Sequence, residues 1–238
     1  MNEIKYKEQA LVTIKDHDNR RDAISDWCYG LGGEMAEVVD LFCDKMISGW
    51  QQGTLWTPEE RMNLAKELGD VLWYTVALAA ELEIEIPHTF EEYEIEVPMG
   101  SRKVISCIYE CLQLAIEVGY IHENMKHHFA HNEDLKVELI QQGLMRIQQY
   151  LHILSVCQDF SISLVADLNV AKLQHRYLQK GVFDFNASAD RHAQEQKFTD
   201  TIIYRQLFQK ITGEEYVAAI EATPEDFKES LSEGNDVE

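Results

Sequence analysis

Apolar residues recur along this chain at intervals of three and four and hardly anywhere alternate, which is the rhythm of amphipathic helices. Only four prolines and twelve glycines interrupt it in 238 residues. The pattern predicts a helix over Tyr6 to Lys15, then a second from Asp22 to Ser48 that crosses the glycines at 30, 32 and 33. After the loop SGWQQGTLW a third runs to about Glu83, opening on Thr57-Pro58-Glu59-Glu60. There threonine serves as N-cap, proline takes the first helical position and Glu60 closes a capping box. The stretch IPHTFEEYEIEVPMGS holds two of the four prolines and reads as a connector, its EIEV at 94–97 being too short and isolated for a strand. Helices are then expected from Ser101 to about His128, Asn132 to Gln158, Ser163 to Gln179 and over 186–212. Thr223-Pro224-Glu225-Asp226 repeats the start signal, and the terminal GNDVE is expected to fray.

The expected fold class is therefore all-α, a helical bundle, in four parts. They are a helical half over 1–86, a connector over 87–100, a second helical half over 101–185, and a C-terminal extension with an acidic tail over 186–238. The halves have a weak internal likeness. Laying AELEIEI (80–86) on QDFSISL (158–164) sets Glu67 on Met145, Asp70 on Gln148 and Trp73 on Leu151, while a slightly different offset sets Glu37 on Glu117. On this reading the two halves form a tandem pseudo-dimer whose second member is degenerate.

Two acidic pairs stand out against the apolar background. Glu34 with Glu37, and Glu67 with Asp70, lie inside GEMAEVVDLF and KELGDVLWYTVALAA, two of the most hydrophobic stretches of the chain. Residues three apart share a helix face, and burying carboxylates costs several kcal/mol each, roughly, unless a counter-charge is present. A lone ExxE is ordinarily a solvated face; two such pairs in apolar helices call for a cation. Oxygen ligands alone favour Mg²⁺, with Mn²⁺ as the alternative, over zinc. A di-iron centre would need Glu-x-x-His pairs, and the fourth positions here are Glu37 and Asp70.

Charge narrows the partners. Forty-two acids against 21 Lys and Arg give a formal net charge of -21, which argues against a nucleic-acid backbone as partner. Five cysteines without CxxC spacing argue against a disulfide framework, and the N-terminal MNEIKYKEQA has no apolar core of a signal peptide. The longest uncharged apolar run, Val71 to Ala80, is far short of the roughly 20 residues of a membrane span. A cytoplasmic location with no membrane partner is the expectation.

GLGGEMAEVVDLFCDKM (30–46) and KELGDVLWYTVALAAELEI (66–84) resemble the E-x-x-E and E-x-x-D helices of the all-α nucleoside triphosphate pyrophosphohydrolases, the group that includes MazG-like proteins and dimeric dUTPases. SISLVADLNVAKLQHRY (161–177) is similar to the N-x-x-K-L-x-x-R-Y helix that closes such domains. The resemblance implies Mg²⁺-dependent hydrolysis of a nucleoside triphosphate to the monophosphate and pyrophosphate, in nucleotide-pool sanitation or removal of dUTP or dCTP. It implies Glu34, Glu37, Glu67 and Asp70 as metal ligands, with Glu37 or Glu67 as base, and Asn169, Lys172 and Arg176 on phosphate. The chain departs from the pattern at Gly33, where many members carry one more glutamate, and in bringing the N-x-x-K motif only in the second half. We therefore expect the first half to supply metal ligands and the second to supply Lys172 and Arg176.

Other features have plainer readings. Trp73, three after Asp70, and Trp50 and Trp56 in the loop are candidates to stack a base, against the alternative that they are core. Asp40, three after Glu37, is a candidate to assist the acidic face, Lys66 beside Glu67 could reach phosphate but reads more simply as a surface lysine, and the histidines of YIHENMKHHFAHNED read as solvent-exposed. The rival functions are a catalytically silent nucleotide-binding or regulatory protein, an acidic mimic of nucleic acid, and a di-metal oxidoreductase. A homodimer is compatible with the leading reading.

Overall fold

The computed structural model describes residues 2–49, 56–86, 101–179, 182–183 and 191–214. Trp50, the connector over 87–100, the start of the 186–212 prediction and the signal at 223–226 lie outside them. Eight helices are described: α1 (Glu3–Leu11), α2 (Arg20–Gly49), α3 (Pro58–Glu81), α4 (Ser101–His131), α5 (Val137–Cys157), α6 (Ile162–Tyr177), α7 (Arg191–Thr199) and α8 (Ile202–Thr212). The all-α expectation holds. The strands described are a two-residue antiparallel pair, β1 (Leu178–Gln179) with β2 (Val182–Phe183).

Sequence signals account for most boundaries. The capping box forms as expected: Thr57 Oγ1 accepts from Glu60 N at 3.2 Å and Glu60 Oε2 accepts from Thr57 N at 2.6 Å. The predicted start of the fifth helix at Asn132 falls five residues early. Asn132 takes φ 57, a left-handed conformation that stops α4 and leaves 132–136 as the connection. The single helix expected up to 212 is two, because Thr201 caps α8 through Tyr204 N and breaks the run after Thr199.

Two antiparallel hairpins form the frame. Lys45 meets Glu60 at one end of the α2–α3 pair and Arg20 meets Glu81 at the other. Lys103–Asp159 and Glu117–Arg146 fix the α4–α5 pair in the same way. The hairpins pack α2 on α4 and α3 on α5, while α6 crosses α3 and α5 with α1, α7 and α8 around it. The core runs continuously through both, with Leu31, Leu64, Leu68, Leu72, Leu114, Leu144 and Leu151 fully buried. Each such side chain contributes about 1.5–3 kcal/mol. Among the described residues, no single helix is long and apolar enough to cross a membrane.

Close approach between α3 and α6 depends on Gly69. A Cβ there would lie 3.0 Å from that of Asn169. Gly69→Val is expected to destabilise the chain by about 1–3 kcal/mol through overpacking, read as a shift in urea midpoint at constant slope. An unchanged midpoint would mean that the helices are not held at this distance.

Candidate active site and metal centre

Antiparallel pairing of α2 and α3 brings the two acidic pairs to the same level of the bundle. Glu34, Glu67 and Asp70 each present a carboxylate oxygen, and these oxygens lie within 4.8 Å of one another. All three side chains are partly buried, one turn apart along α3 and directly across on α2. Three oxygen donors so close, on apolar helices, match the ligand set of a hard divalent cation. Glu37 is exposed and outside this trio, although its charge reaches Glu67.

Asp70 is gripped from the second half of the chain. Asn169 Nδ2 donates to Asp70 Oδ1 at 2.8 Å, and Lys172 Nζ pairs with Oδ2. Lys172 is 5% exposed and Asn169 is fully buried. Their spacing of three puts both on the α6 face that meets α3. Tyr6, on α1, donates its hydroxyl to Asn169 Oδ1 at 2.9 Å, which fixes the amide so that its NH₂ faces Asp70. Burial and then the Asp70 charge push the Tyr6 phenol well above its usual range, so it remains a donor. Tyr6 carried no signal in the sequence beyond an apolar helix position, and its part in the site was not foreseen.

Glu67 carries the electrostatic cost of this crowding. Burial raises its pKa most, Asp70, Glu37 and Glu34 add to it, and Lys172 opposes them; the result is about 8. The folded chain thus holds this proton more tightly than the unfolded chain, whose carboxyl titrates near 4.5. The sign follows: the stabilisation is complete below about pH 4.5 and is lost as pH rises through about 8. The metal-free protein should therefore lose thermal stability over that range, by an amount that Glu67→Gln removes. A bound divalent cation competes with the same proton, so metal uptake near pH 7 should release protons, measurable by calorimetry in buffers of different ionisation heat. Uptake without proton release would mean that Glu67 is already ionised.

Cations gather beside the acids. Lys66, expected on the surface, is 8% exposed and pairs with Glu195 of α7 at 2.9 Å. Burial works against ionising Glu195, but the Lys66 hydrogen bond and the charges of Lys66, Lys172 and Arg176 outweigh it and hold it below the usual carboxylate range. Arg176 is partly buried, its guanidinium 5.9 Å from the Tyr177 ring. The charges of Lys66, Lys172 and Arg176 thus all act on Glu195, which Lys66 contacts directly.

The aromatic candidates are packed rather than open. Trp73 donates its Nε1 hydrogen to Thr13 Oγ1 at 2.9 Å and stands edge-on to Trp27 and Tyr74, with centroids 5.4 and 4.8 Å away. Trp56 sits on Phe42, with the Lys45 ammonium 5.7 Å from its ring. Asp40 is exposed and lines a groove of about 420 Å³ between α2 and α4, away from the trio. His122, His127 and His128, expected in solvent, are half-buried: His122 Nε2 donates to the Cys28 carbonyl at 2.7 Å, and His127 lies 3.0 and 2.9 Å from Glu123 and Glu133 carboxylate oxygens, while His131 is exposed. Gly33 is exposed, and a Cβ on it would meet nothing within 4 Å.

Residues 28–94 match the MazG nucleotide pyrophosphohydrolase domain, a span that contains the whole acidic trio, all of α3 and α2 from Cys28 onward. That segment, 67 of the 238 residues, is what the chain shares with the MazG pyrophosphohydrolases. Curated relatives match part of the chain. Mouse (Mus musculus) dCTP pyrophosphatase 1 is 40% identical over 84 residues, 30% of this chain and 46% of the relative. The human (Homo sapiens) protein of that name is 44% identical over 57 residues, 24% of this chain and 33% of the relative. The rat (Rattus norvegicus) one is 36% identical over 80 residues, 30% of this chain and 46% of the relative. The chain thus spans less than half the length of the curated relatives it matches. No solved structure matches it. The MazG segment ends before α4, so Asn169, Lys172 and Arg176 lie outside it.

Proposed function

We propose that this chain is a Mg²⁺-dependent nucleoside triphosphate pyrophosphohydrolase, with a pyrimidine deoxynucleotide such as dCTP or dUTP as substrate. The observation that carries this is the meeting of Glu34, Glu67 and Asp70 within 4.8 Å, backed by Lys172 and Asn169. The MazG match and the activity for which the relatives are named support the choice of reaction.

Glu34, Glu67 and Asp70 would hold Mg²⁺, with Mn²⁺ able to replace it, and Glu37 would complete the set or remain free of it. When bound, the metal neutralises triphosphate charge and acidifies a water. Asn169 and Lys172 each fix one oxygen of Asp70, so this carboxylate does not have to reorganise when substrate arrives. Lys172, Arg176 and Lys66 supply positive charge to phosphate oxygens in a chain whose formal charge is otherwise -21. Glu37, on the exposed side of α2, would take a proton from the attacking water, with Glu67 as the second candidate. Base recognition falls to the partly buried Trp73, with Trp56 and Trp50 at the loop between the acidic helices.

Five free cysteines suit a reducing cytoplasm. The competing reading, a nucleotide-binding protein without turnover, predicts binding of a non-hydrolysable triphosphate analogue with no product from the natural nucleotides. A panel of canonical and modified triphosphates separates the two. Hydrolysis in ¹⁸O-labelled water also gives the phosphorus attacked: label in the monophosphate marks the α position, label in pyrophosphate the β.

A further inference from the structure

The two hairpins bury equivalent positions. Leu31, Val38 and Phe42 on α2 are matched 83 residues later by Leu114, Ile121 and Met125 on α4. On α3, Leu64, Leu68 and Leu78 are matched 76 residues later by Ile140, Leu144 and Leu154 on α5. The hairpins also end alike. Glu83 and Asp159 take φ 57 and 63, and behind them Ile84 N donates to Ala79 O at 2.8 Å and Phe160 N to Ser155 O at 3.2 Å. The two shifts differ by seven residues, about two helical turns, so the facing registers agree. This is not the 78-residue placement that residue similarity alone suggests.

In the structural register Glu34 corresponds to Glu117, Glu67 to Gly143 and Asp70 to Arg146. These three positions converge as their counterparts do. Arg146 Nε lies 2.6 Å from Glu117 Oε1, and a Cβ on Gly143 would stand 3.9 Å from Glu117 Oε2. Glu117 is 6% exposed, and its Oε2 is buried without a hydrogen-bond partner among the described residues. Tyr120 takes the place of Glu37.

We propose that the Glu117–Arg146 ion pair is a charge-closed copy of the metal centre. The Arg146 guanidinium supplies, as a tethered cation, the charge that a divalent ion would supply among Glu34, Glu67 and Asp70, and Gly143 removes the third ligand. The described residues therefore carry one metal centre per chain. The second hairpin keeps the frame and carries α6, with Asn169 and Lys172, to the first. The inference rests on reading the acidic trio as a metal site.

Restoring the lost ligands tests it. Mn²⁺ is titrated, by electron paramagnetic resonance of the free ion, into the full chain with the trio disabled by Glu34→Gln, Glu67→Gln and Asp70→Asn. That background is expected to bind no Mn²⁺ tightly, and adding Gly143→Glu with Arg146→Asp is expected to give about one site per chain and a Mn²⁺-dependent rise in thermal midpoint. If the combined variant does not fold, Arg146→Asp alone is added to the same disabled-trio background, and its thermal midpoint should rise with Mn²⁺. No Mn²⁺-dependent gain in either folded variant overturns the proposal. So does a disabled-trio background that still holds one Mn²⁺ lost on Glu117→Gln, since the second hairpin would then already be a metal site. Mn²⁺ binding by wild type that the trio changes leave untouched would overturn the reading of the trio instead, and the gain in the second hairpin remains readable beside it.

Discussion

Glu67→Gln is expected to lower kcat by about 10³-fold while making the metal-free protein more stable at pH 8. Both effects come from one carboxylate. It is partly buried, stands within 4.8 Å of two others, and is crowded enough that burial and its neighbours raise its pKa to about 8. Glutamine keeps the shape and removes the charge, so the repulsion disappears together with the ligand. A side chain present only for packing would change neither quantity much, and one that stabilised the fold would lower the melting temperature. The opposed signs are the signature of a site where binding is retained at the expense of stability. They are checked by steady-state kinetics with Mg²⁺ and by thermal unfolding in chelator on the same preparation. A variant that is both less active and less stable would contradict this account of Glu67.

Lys172→Met is expected to have the second largest effect, in the opposite direction for stability. It strips the ammonium from Asp70, leaving a carboxylate that is 20% exposed with Asn169 as its remaining donor from α6. Breaking a buried ion pair from one side costs roughly 3–5 kcal/mol; the partial exposure of Asp70 reduces this to about 2 kcal/mol. Added Mg²⁺ should narrow the gap from wild type, because a bound cation takes over the charge compensation. Catalysis should fall by about 10²-fold in kcat/KM, the usual loss for one charged donor to a phosphoryl group, with metal affinity raised rather than lost. Kinetics equal to wild type at a temperature where both are folded would assign Lys172 a structural role alone.

The acidic helices were legible in the sequence because burying a charge is costly enough to leave a mark. Glu34, Glu67 and Asp70 interrupt apolar stretches, and only a counter-charge makes that tolerable. The capping box at Thr57 was legible for a similar reason, as a local rule independent of tertiary context. Three features were not. Tyr6 reaches Asn169 across 163 positions, and nothing local distinguishes a core tyrosine from one that orients an amide. Lys66 sits between Ala65 and Glu67 like any helix-face lysine, and it is α7, distant in sequence, that buries it against Glu195. The register of the second half was hidden because its ligands were exchanged for Arg146 and Gly143. The repeat survives in burial and helix ends rather than in residue identity.

One acidic centre, completed by α6, is expected to release pyrophosphate. Product analysis tests it most directly: wild type and Glu67→Gln are incubated with dCTP, dUTP and the common nucleoside triphosphates with Mg²⁺, and monophosphate, pyrophosphate and orthophosphate are quantified. We predict equal amounts of monophosphate and pyrophosphate without orthophosphate from at least one of them, abolished by chelator and by Glu67→Gln. No turnover of any triphosphate, or turnover that Glu67→Gln leaves unchanged, would contradict it.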